Sequence, residues 1–271
     1  MSAAVTQTVE PLLQARAPVP AVQTALLRPT RRRALRGTLA WGGVALGAAL
    51  VCGQESRGQW ASIGADLSTG TGERRRITLP DGSELVLNAR SAVDVRFDAQ
   101  RRSLRLRAGE LIVTVAPNAA RPFSVQSHEG EVQALGTRFM VRQEAGRTVA
   151  LVLEHHVQAK NLAGAVRQLR EGESVVFNAQ QMDPIQLDRK SLAGWESGML
   201  LAADLPLGDV IDALRPYRRG FIRVSPEATR LRVLGAFPLD DPERVLDSLA
   251  QTLPLRVTRY GPWMAVLDRR D

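Results

Sequence analysis

The alternation of apolar and polar residues along the middle of the chain is typical of short strands. Val93, Val95 and Phe97 recur at every second position, which places their side chains on one face of an extended segment. Turn residues such as Pro80–Gly82 separate these runs at intervals of roughly 8–12 residues. We therefore predict a mainly β domain over residues 71–185, with a sandwich-like or solenoid-like arrangement.

Toward the C-terminus the spacing of apolar residues changes, and helical repeats alternate with short strands. One predicted helix carries Val210, Ile211 and Leu214 on a single face. A second begins near Pro242 and presents an apolar face of its own. The predicted order is β-α-β-β-α-β-β, which indicates a small split βαβ module of the α/β class over residues 196–271.

A third pattern is the uncharged run Gly37–Gly53, which directly follows a group of arginines. About 17 residues at 1.5 Å per residue span roughly 25 Å, slightly less than a hydrocarbon core. We predict a single transmembrane helix over residues 34–53. Basic flanks stay on the cytoplasmic side of a membrane, so the residues that set the orientation are Arg31, Arg32, Arg33 and Arg36.

Two other interpretations of the apolar run remain open. It could be a cleaved secretory signal, or Cys52 could carry a lipid anchor. The stretch Thr30–Leu35 also resembles a twin-arginine export signal. With a retained span, residues 1–33 are a short cytoplasmic segment and residues 54–70 are a linker beyond the membrane.

The amino-acid composition argues against two features, a nucleic-acid-binding surface and an internal disulfide. The formal net charge is +8, carried almost wholly by arginines that are scattered along the chain, and aromatic residues make up 4% of it. A nucleic-acid surface needs basic and aromatic residues together on one face, so we predict no nucleic-acid partner. The single cysteine excludes an internal disulfide.

No set of residues with a catalytic or metal-binding pattern stands out. His155 and His156 are adjacent, and neighbours in a strand point to opposite faces, so we expect one half-buried and one solvated imidazole. The pair Asp240–Asp241 fits a helix cap better than an acid pair. We predict that the chain is not an enzyme, that it has no catalytic or metal site, and that it uses no cofactor.

Several sequence blocks resemble FecR-type anti-sigma regulators of bacterial cell-surface signalling. The blocks are Gly72–Ser83, Ala108–Glu110, Arg121–Val125 and Ala134–Phe139. The C-terminal module is similar to the short N-terminal domains of secretins and TonB-dependent transducers. The resemblance implies a single-pass protein of the bacterial inner membrane whose C-terminal domains are periplasmic. It also implies a role in relaying a signal, commonly for iron uptake.

The same resemblance implies two protein partners. They are an extracytoplasmic-function sigma factor and the signalling domain of an outer-membrane TonB-dependent transporter. Family members usually begin with a longer cytoplasmic helical domain that contains tryptophans, whereas residues 1–33 contain none. The segment 1–33 therefore resembles a truncated anti-sigma region.

A small α/β module offers sheet edges to which a partner strand can be added. The candidate partner-binding residues are Met199, Leu201, Leu231, Arg232, Leu234 and Phe237. Two further functions remain as alternatives. One is a periplasmic scaffold or binding module without sigma-factor control, and the other is an envelope hydrolase, for which no nucleophile or carboxylate pair is apparent.

Overall fold

The computed structural model describes residues 61–270, except residues 119, 135 and 188. The predicted membrane span at 34–53 and the four arginines before it lie outside this part of the chain. Within the described part, each helix is too short or too polar to cross a bilayer.

The first twelve strands form the β domain. They are β1 (Leu67–Ser68), β2 (Arg75–Thr78), β3 (Glu84–Leu87), β4 (Ala92–Phe97), β5 (Arg102–Thr114), β6 (Phe123–Gln126), β7 (Gly130–Ala134), β8 (Arg138–Glu144), β9 (Arg147–Glu154), β10 (His156–Asn161), β11 (Val166–Arg170) and β12 (Ser174–Phe177). The prediction of a mainly β domain is confirmed. The last residues of the predicted linker 54–70 belong to the sheet, because β1 pairs with β4.

The long strand β5 belongs to two sheets at once. Its first half pairs with β4 and, in parallel, with β6, whereas its second half pairs with β3 and β8. The first sheet continues through β7 and β10 to β11, and the second continues through β9 to β12. Gly109 stands where the strand passes from one sheet to the other, with φ of +82°. The result is a sandwich, one of the two predicted arrangements.

The space between the two sheets is filled by aliphatic and aromatic side chains. Leu104 and Phe123 come from the first sheet, and Leu111 and Phe139 come from the second. All four are fully shielded from solvent. At about 25 cal/mol per Å² of buried apolar surface, this core is the main stabilising term of the domain.

The C-terminal module follows a 3₁₀ segment at Lys190–Ser197. Its elements are β13 (Met199–Pro206), α1 (Leu207–Leu214), a 3₁₀ turn (Arg215–Tyr217), β14 (Phe221–Val224), the short α2 (Pro226–Thr229), β15 (Arg232–Pro238), α3 (Pro242–Thr252), β16 (Leu255–Tyr260) and β17 (Met264–Arg269). The strands form two sheets, β13–β15 and β14–β17–β16. The predicted order of strands and helices is confirmed, with α2 as an added single turn.

Acidic residues lie at the start of both longer helices of the module: Asp241 at α3, as predicted for the Asp240–Asp241 pair, and Asp209 in the first turn of α1. Asp241 caps α3, since its carboxylate accepts a hydrogen bond from the backbone N–H of Arg244 at 3.0 Å. Asp204 does not lie at the start of α1. It lies in a bulge of β13 with φ of +57°, and α1 begins three residues later.

The module packs against the outer face of the second sheet. Val86, Ile112, Met140 and Leu151 point away from the sandwich interior and join the core of the module. Their neighbours along each strand point the other way, into the sandwich. Strands β3, β5, β8 and β9 are therefore buried on both faces, which explains their nearly continuous apolar sequences.

Candidate functional site

A buried chain of hydrogen bonds joins the module to the sandwich. The Tyr217 hydroxyl donates to Asn88 Oδ1, and Asn88 Nδ2 donates to Glu110 Oε2 at 2.8 Å. Arg142 Nη2 donates to the other oxygen of Glu110 at 2.9 Å. Burial raises the pKa of Tyr217 to about 12, although the Arg74 guanidinium, 5.5 Å from the ring centre, acts in the opposite direction. The hydroxyl therefore remains a donor at neutral pH.

Backbone and ionic contacts extend this junction. The Gly72 N–H donates to the carbonyl of Pro216 at 3.0 Å. Glu196, in the 3₁₀ segment that leads into the module, accepts hydrogen bonds from Arg76 and Arg138 of the sandwich. These contacts act with the shared apolar core, so the module and the sandwich behave as one folded unit.

Arg102 is a buried charge inside the sandwich. Its side chain is 1% exposed and pairs with Asp81, which is 5% exposed, at 2.9 Å. The guanidinium also donates to the carbonyls of Ala116 and Arg121. Burial by itself raises the pKa of Asp81, but hydrogen bonds from Ser83 and Arg102 outweigh it and leave that pKa below its ordinary value.

The sequence-predicted partner residues fall on both faces of the β13–β15 ribbon. Phe237 is buried and Leu231 is half-buried, and both pack in the module core. Leu234 is 82% exposed and Leu201 is 39% exposed, so these two lie on the solvent side. The half-buried Met199 pairs with the last residue of β15.

Arg232 is exposed and holds the bulge of β13. Its Nε and Nη2 atoms donate to the two carboxylate oxygens of Asp204 at 2.9 and 2.8 Å. This pair lowers the pKa of Asp204 through the hydrogen bond from Arg232. Arg232 is therefore engaged within the chain, and among the predicted apolar residues Leu201 and Leu234 are the most accessible.

β15 carries a free edge. Among the described residues it pairs only with β13. The hydrogen bonds between β13 and β15 begin where the Leu239 N–H donates to the Gly198 carbonyl. From there, every second residue of β15 directs its backbone N–H and C=O groups toward β13. The backbone groups of Leu234 and Ala236 consequently point away from β13. A free edge with exposed apolar side chains is a feature that monomeric proteins normally protect.

The two adjacent histidines lie at the sharp connection between β9 and β10. His155 has φ of +66°, and its Nδ1 lies 3.0 Å from the Gly136 carbonyl. Both imidazoles are exposed, so the expectation that one would be half-buried is wrong: the reversal of the chain at His155 breaks the strand alternation. In the described part of the chain, no three His, Cys, Asp or Glu residues are grouped to hold a metal ion.

An open depression of about 430 Å³ lies beside the 3₁₀ segment that precedes the module. Its charged lining consists of Arg138, Glu154, Glu171, Lys190 and Glu196. Arg138 pairs with Glu196 and Glu154, and Lys190 pairs with Glu171 at 2.7 Å. The charges of the depression are therefore engaged with one another.

Comparison of the sequence with known protein families gives a match that lies within the sandwich. Residues 65–158 match the family described as FecR protein. The match covers less than half of the chain. The FecR match begins just before β1 and ends within β10, so β11 and β12 complete the sandwich beyond it. Among curated proteins, no sequence is significantly similar to the chain.

The whole folded unit has structural relatives. Two crystal structures of a candidate anti-sigma factor from Parabacteroides distasonis, at 1.65 and 2.50 Å resolution, each superpose with a TM-score of 0.66 and 23% identity. Each superposition covers 76% of this chain, and it covers 99% and 98% of the respective relatives. At this level of identity, the likeness shows a common fold.

Two of the sequence blocks that resemble FecR proteins contact the same buried side chain. Asp81, from the first block, and the Arg121 carbonyl, from the third, both bind the guanidinium of Arg102. Gly109, from the second block, allows β5 to change sheets. Arg102 itself was missed from the sequence, because nothing in the spacing distinguishes it from the many solvated arginines. Tyr217 was missed likewise, since its partner is 129 positions away.

Proposed function

We propose that the chain is an anti-sigma-type regulator that spans the inner membrane once and senses a partner with its folded C-terminal part. The observation that carries the proposal is the FecR domain at residues 65–158. The fold shared with a candidate anti-sigma factor supports it. In this proposal, residues 1–33 contact an extracytoplasmic-function sigma factor on the cytoplasmic side.

We further propose that the input comes from the signalling domain of an outer-membrane TonB-dependent transporter, with iron uptake as the regulated process. The free edge of β15 supports strand addition as the mode of contact. In strand addition, backbone hydrogen bonds supply affinity, and exposed side chains such as Leu234 supply specificity. The chain has no catalytic role in this scheme and needs no cofactor.

The proposed contact with a sigma factor is tested by capture of that sigma factor on a peptide. A peptide of residues 1–36 should retain an extracytoplasmic-function sigma factor of the same bacterium, and a scrambled peptide of equal charge should not. Deleting residues 1–33 from the full chain should change transcription from a promoter that depends on that sigma factor. If neither capture nor transcription responds, the chain acts as an envelope scaffold instead.

The proposed membrane topology is tested by a reporter fused after Asp271, which follows β17. Alkaline phosphatase fused there should be active, because the C-terminal part is proposed to be periplasmic. Neutralising the four arginines before the apolar run should reduce that activity. An inactive fusion in an otherwise stable protein contradicts the proposed orientation.

The partner arm is tested on β15. Leu234→Asp places a charge on an exposed position of the free edge, so the fold should be retained while binding to a transporter signalling domain weakens. Leu162→Asp is the matched control, since Leu162 is 68% exposed in the β10–β11 turn of the sandwich. Equal binding by both variants would remove β15 from consideration.

A further inference from the structure

The three-stranded sheet of the module presents an uncovered face. Ile222, Ala265 and Leu267 point into the module core. The residues between them along the strands point outward. Strand register brings Phe221 opposite Met264, and Met264 opposite Tyr260, so three large side chains lie in a row across the outer face.

The β16–β17 turn extends this row with aromatic residues. Tyr260 is 62% exposed and Trp263 is 65% exposed. Phe221 and Met264 are half-buried, and none of these four side chains belongs to the apolar cores of the described residues. Tyr and Trp carry an apolar ring with a polar atom, the combination that favours the boundary between water and lipid.

The charges around the row are basic. Arg223 and Arg256 point to the same outer face, and neither forms an ion pair with another described residue. Asp268 is the only acidic residue of the three strands, and the register places it opposite Arg256 on the same face. Arg259 is directed to the opposite face, where it pairs with α3. The outer face of the three strands therefore carries two arginines and one aspartate, and its net charge is positive.

The turn contacts a segment that packs against Gly72, whereas the first described residues lie at β5, where Arg107 donates to the carbonyls of Ile63 and Gly64. Arg218 Nη2 donates to the carbonyl of Pro262 in the turn at 3.4 Å. Arg218 follows Pro216 and Tyr217, which lie against Gly72. If the span ends at residue 53, residues 54–60 precede the first described residue, and seven residues reach at most about 25 Å. The folded unit is then held close to the membrane.

We propose that the outer face of the β14–β17–β16 sheet rests on the surface of the inner membrane, with Tyr260 and Trp263 among the headgroups and Arg223 and Arg256 bound to anionic phospholipid. This inference rests on the single-span topology of the proposed function. Long arginine side chains can reach phosphates while their stems cover apolar surface. Contact with lipid would fix the orientation in which the free edge of β15 meets a partner.

The experiment uses the full chain in lipid nanodiscs with or without phosphatidylglycerol. Amide hydrogen exchange of residues 259–265 should be slower in nanodiscs than in detergent, and slowest with the anionic lipid. Trp263 fluorescence, taken as the difference between wild type and Trp263→Phe, should be quenched by brominated phospholipid. Exchange within α3 reports whether each variant is folded.

Variants separate the contributions. Tyr260→Ser with Trp263→Ser should abolish the lipid-dependent slowing, whereas Leu234→Ser, at an exposed position of the β13–β15 sheet, should keep it. Arg223→Gln and Arg256→Gln should each reduce the population in contact with anionic lipid about fivefold, since each basic residue at such a surface contributes ~1 kcal/mol.

The proposal is overturned if exchange and quenching at the turn are independent of lipid, or if protection appears only after a partner protein is added. Adding the full chain to preformed anionic vesicles tests the same face without requiring that residues 34–53 span the bilayer. Sigma-factor capture does not involve lipid, so its failure would leave this result unchanged.

Discussion

Removing the carboxylate of Asp81 should destabilise the sandwich by leaving Arg102 buried without its counter-ion. Breaking a buried ion pair from one side costs about 3–5 kcal/mol. Arg102 keeps its bonds to the carbonyls of Ala116 and Arg121, so we expect the lower end of that range, about 3 kcal/mol. At about 2–4 °C per kcal/mol for a unit of this size, Tm should fall by roughly 6–12 °C.

The measurement is the urea and thermal unfolding of residues 54–271, monitored by circular dichroism, for wild type and for Asp81→Ala. Replacing both partners, as Asp81→Ala with Arg102→Met, should be less destabilising than the sum of the single changes. Glu171→Ala, which breaks the exposed pair with Lys190, is the control and should leave Tm within error.

The pH dependence provides an independent check. The pKa of Asp81 is below its ordinary value of 3.8 in the folded protein, so its contribution is present above that pH and is lost as pH falls through the folded pKa. The difference between wild type and Asp81→Ala should therefore shrink in acid. A variant that unfolds within about 1 kcal/mol of wild type at neutral pH would refute the buried-pair explanation.

Three further predictions concern the corner, the junction and the buried hydroxyl. Gly109→Ala should destabilise much more than Gly146→Ala in urea unfolding, because both have positive φ but a Cβ at 109 would lie 2.6 Å from a backbone atom while the site at 146 is open. Met140→Asp should separate the module from the sandwich, seen as faster hydrogen exchange in α1 and α3, because it places an unpaired charge in the shared core. In Tyr260→Phe, which leaves Tyr217 as the one tyrosine of the sequence, spectrophotometric titration should give a pKa of about 12. The stabilisation from the neutral hydroxyl is complete below pH 10, the ordinary pKa of tyrosine, and is lost as the pH rises through the folded pKa.

The joint burial of β3, β5, β8 and β9 changes how deletion experiments should be designed. Removing the module would expose Val86, Ile112, Met140 and Leu151 to water, so a shortened chain would lose stability as well as partner binding. Beginning a fragment at residue 71 would remove β1, which pairs with β4. Point substitutions on exposed positions therefore separate binding from folding better than truncations do.

Local patterns were sufficient for the elements and for the broad class of the β domain. Period-two alternation at Val93, Val95 and Phe97 predicted a strand, and Asp241 with Pro242 predicted the start of a helix, because both signals depend on residues close in sequence. The FecR resemblance, confirmed over residues 65–158, likewise depends on short blocks that can be recognised one at a time.

The pairing of distant segments was decided by the tertiary structure. The apolar runs of β8 and β9 indicate burial. The runs alone do not show that one face meets the sandwich interior and the other meets a module that begins only at Met199. In the sequence, nothing distinguishes Arg102 from a solvated arginine. Its burial depends on Asp81 and the Arg121 carbonyl, which bind its guanidinium in the folded protein. The free edge of β15 and the uncovered face beside Tyr260 arise in the same way, because exposure is set by what packs nearby in space.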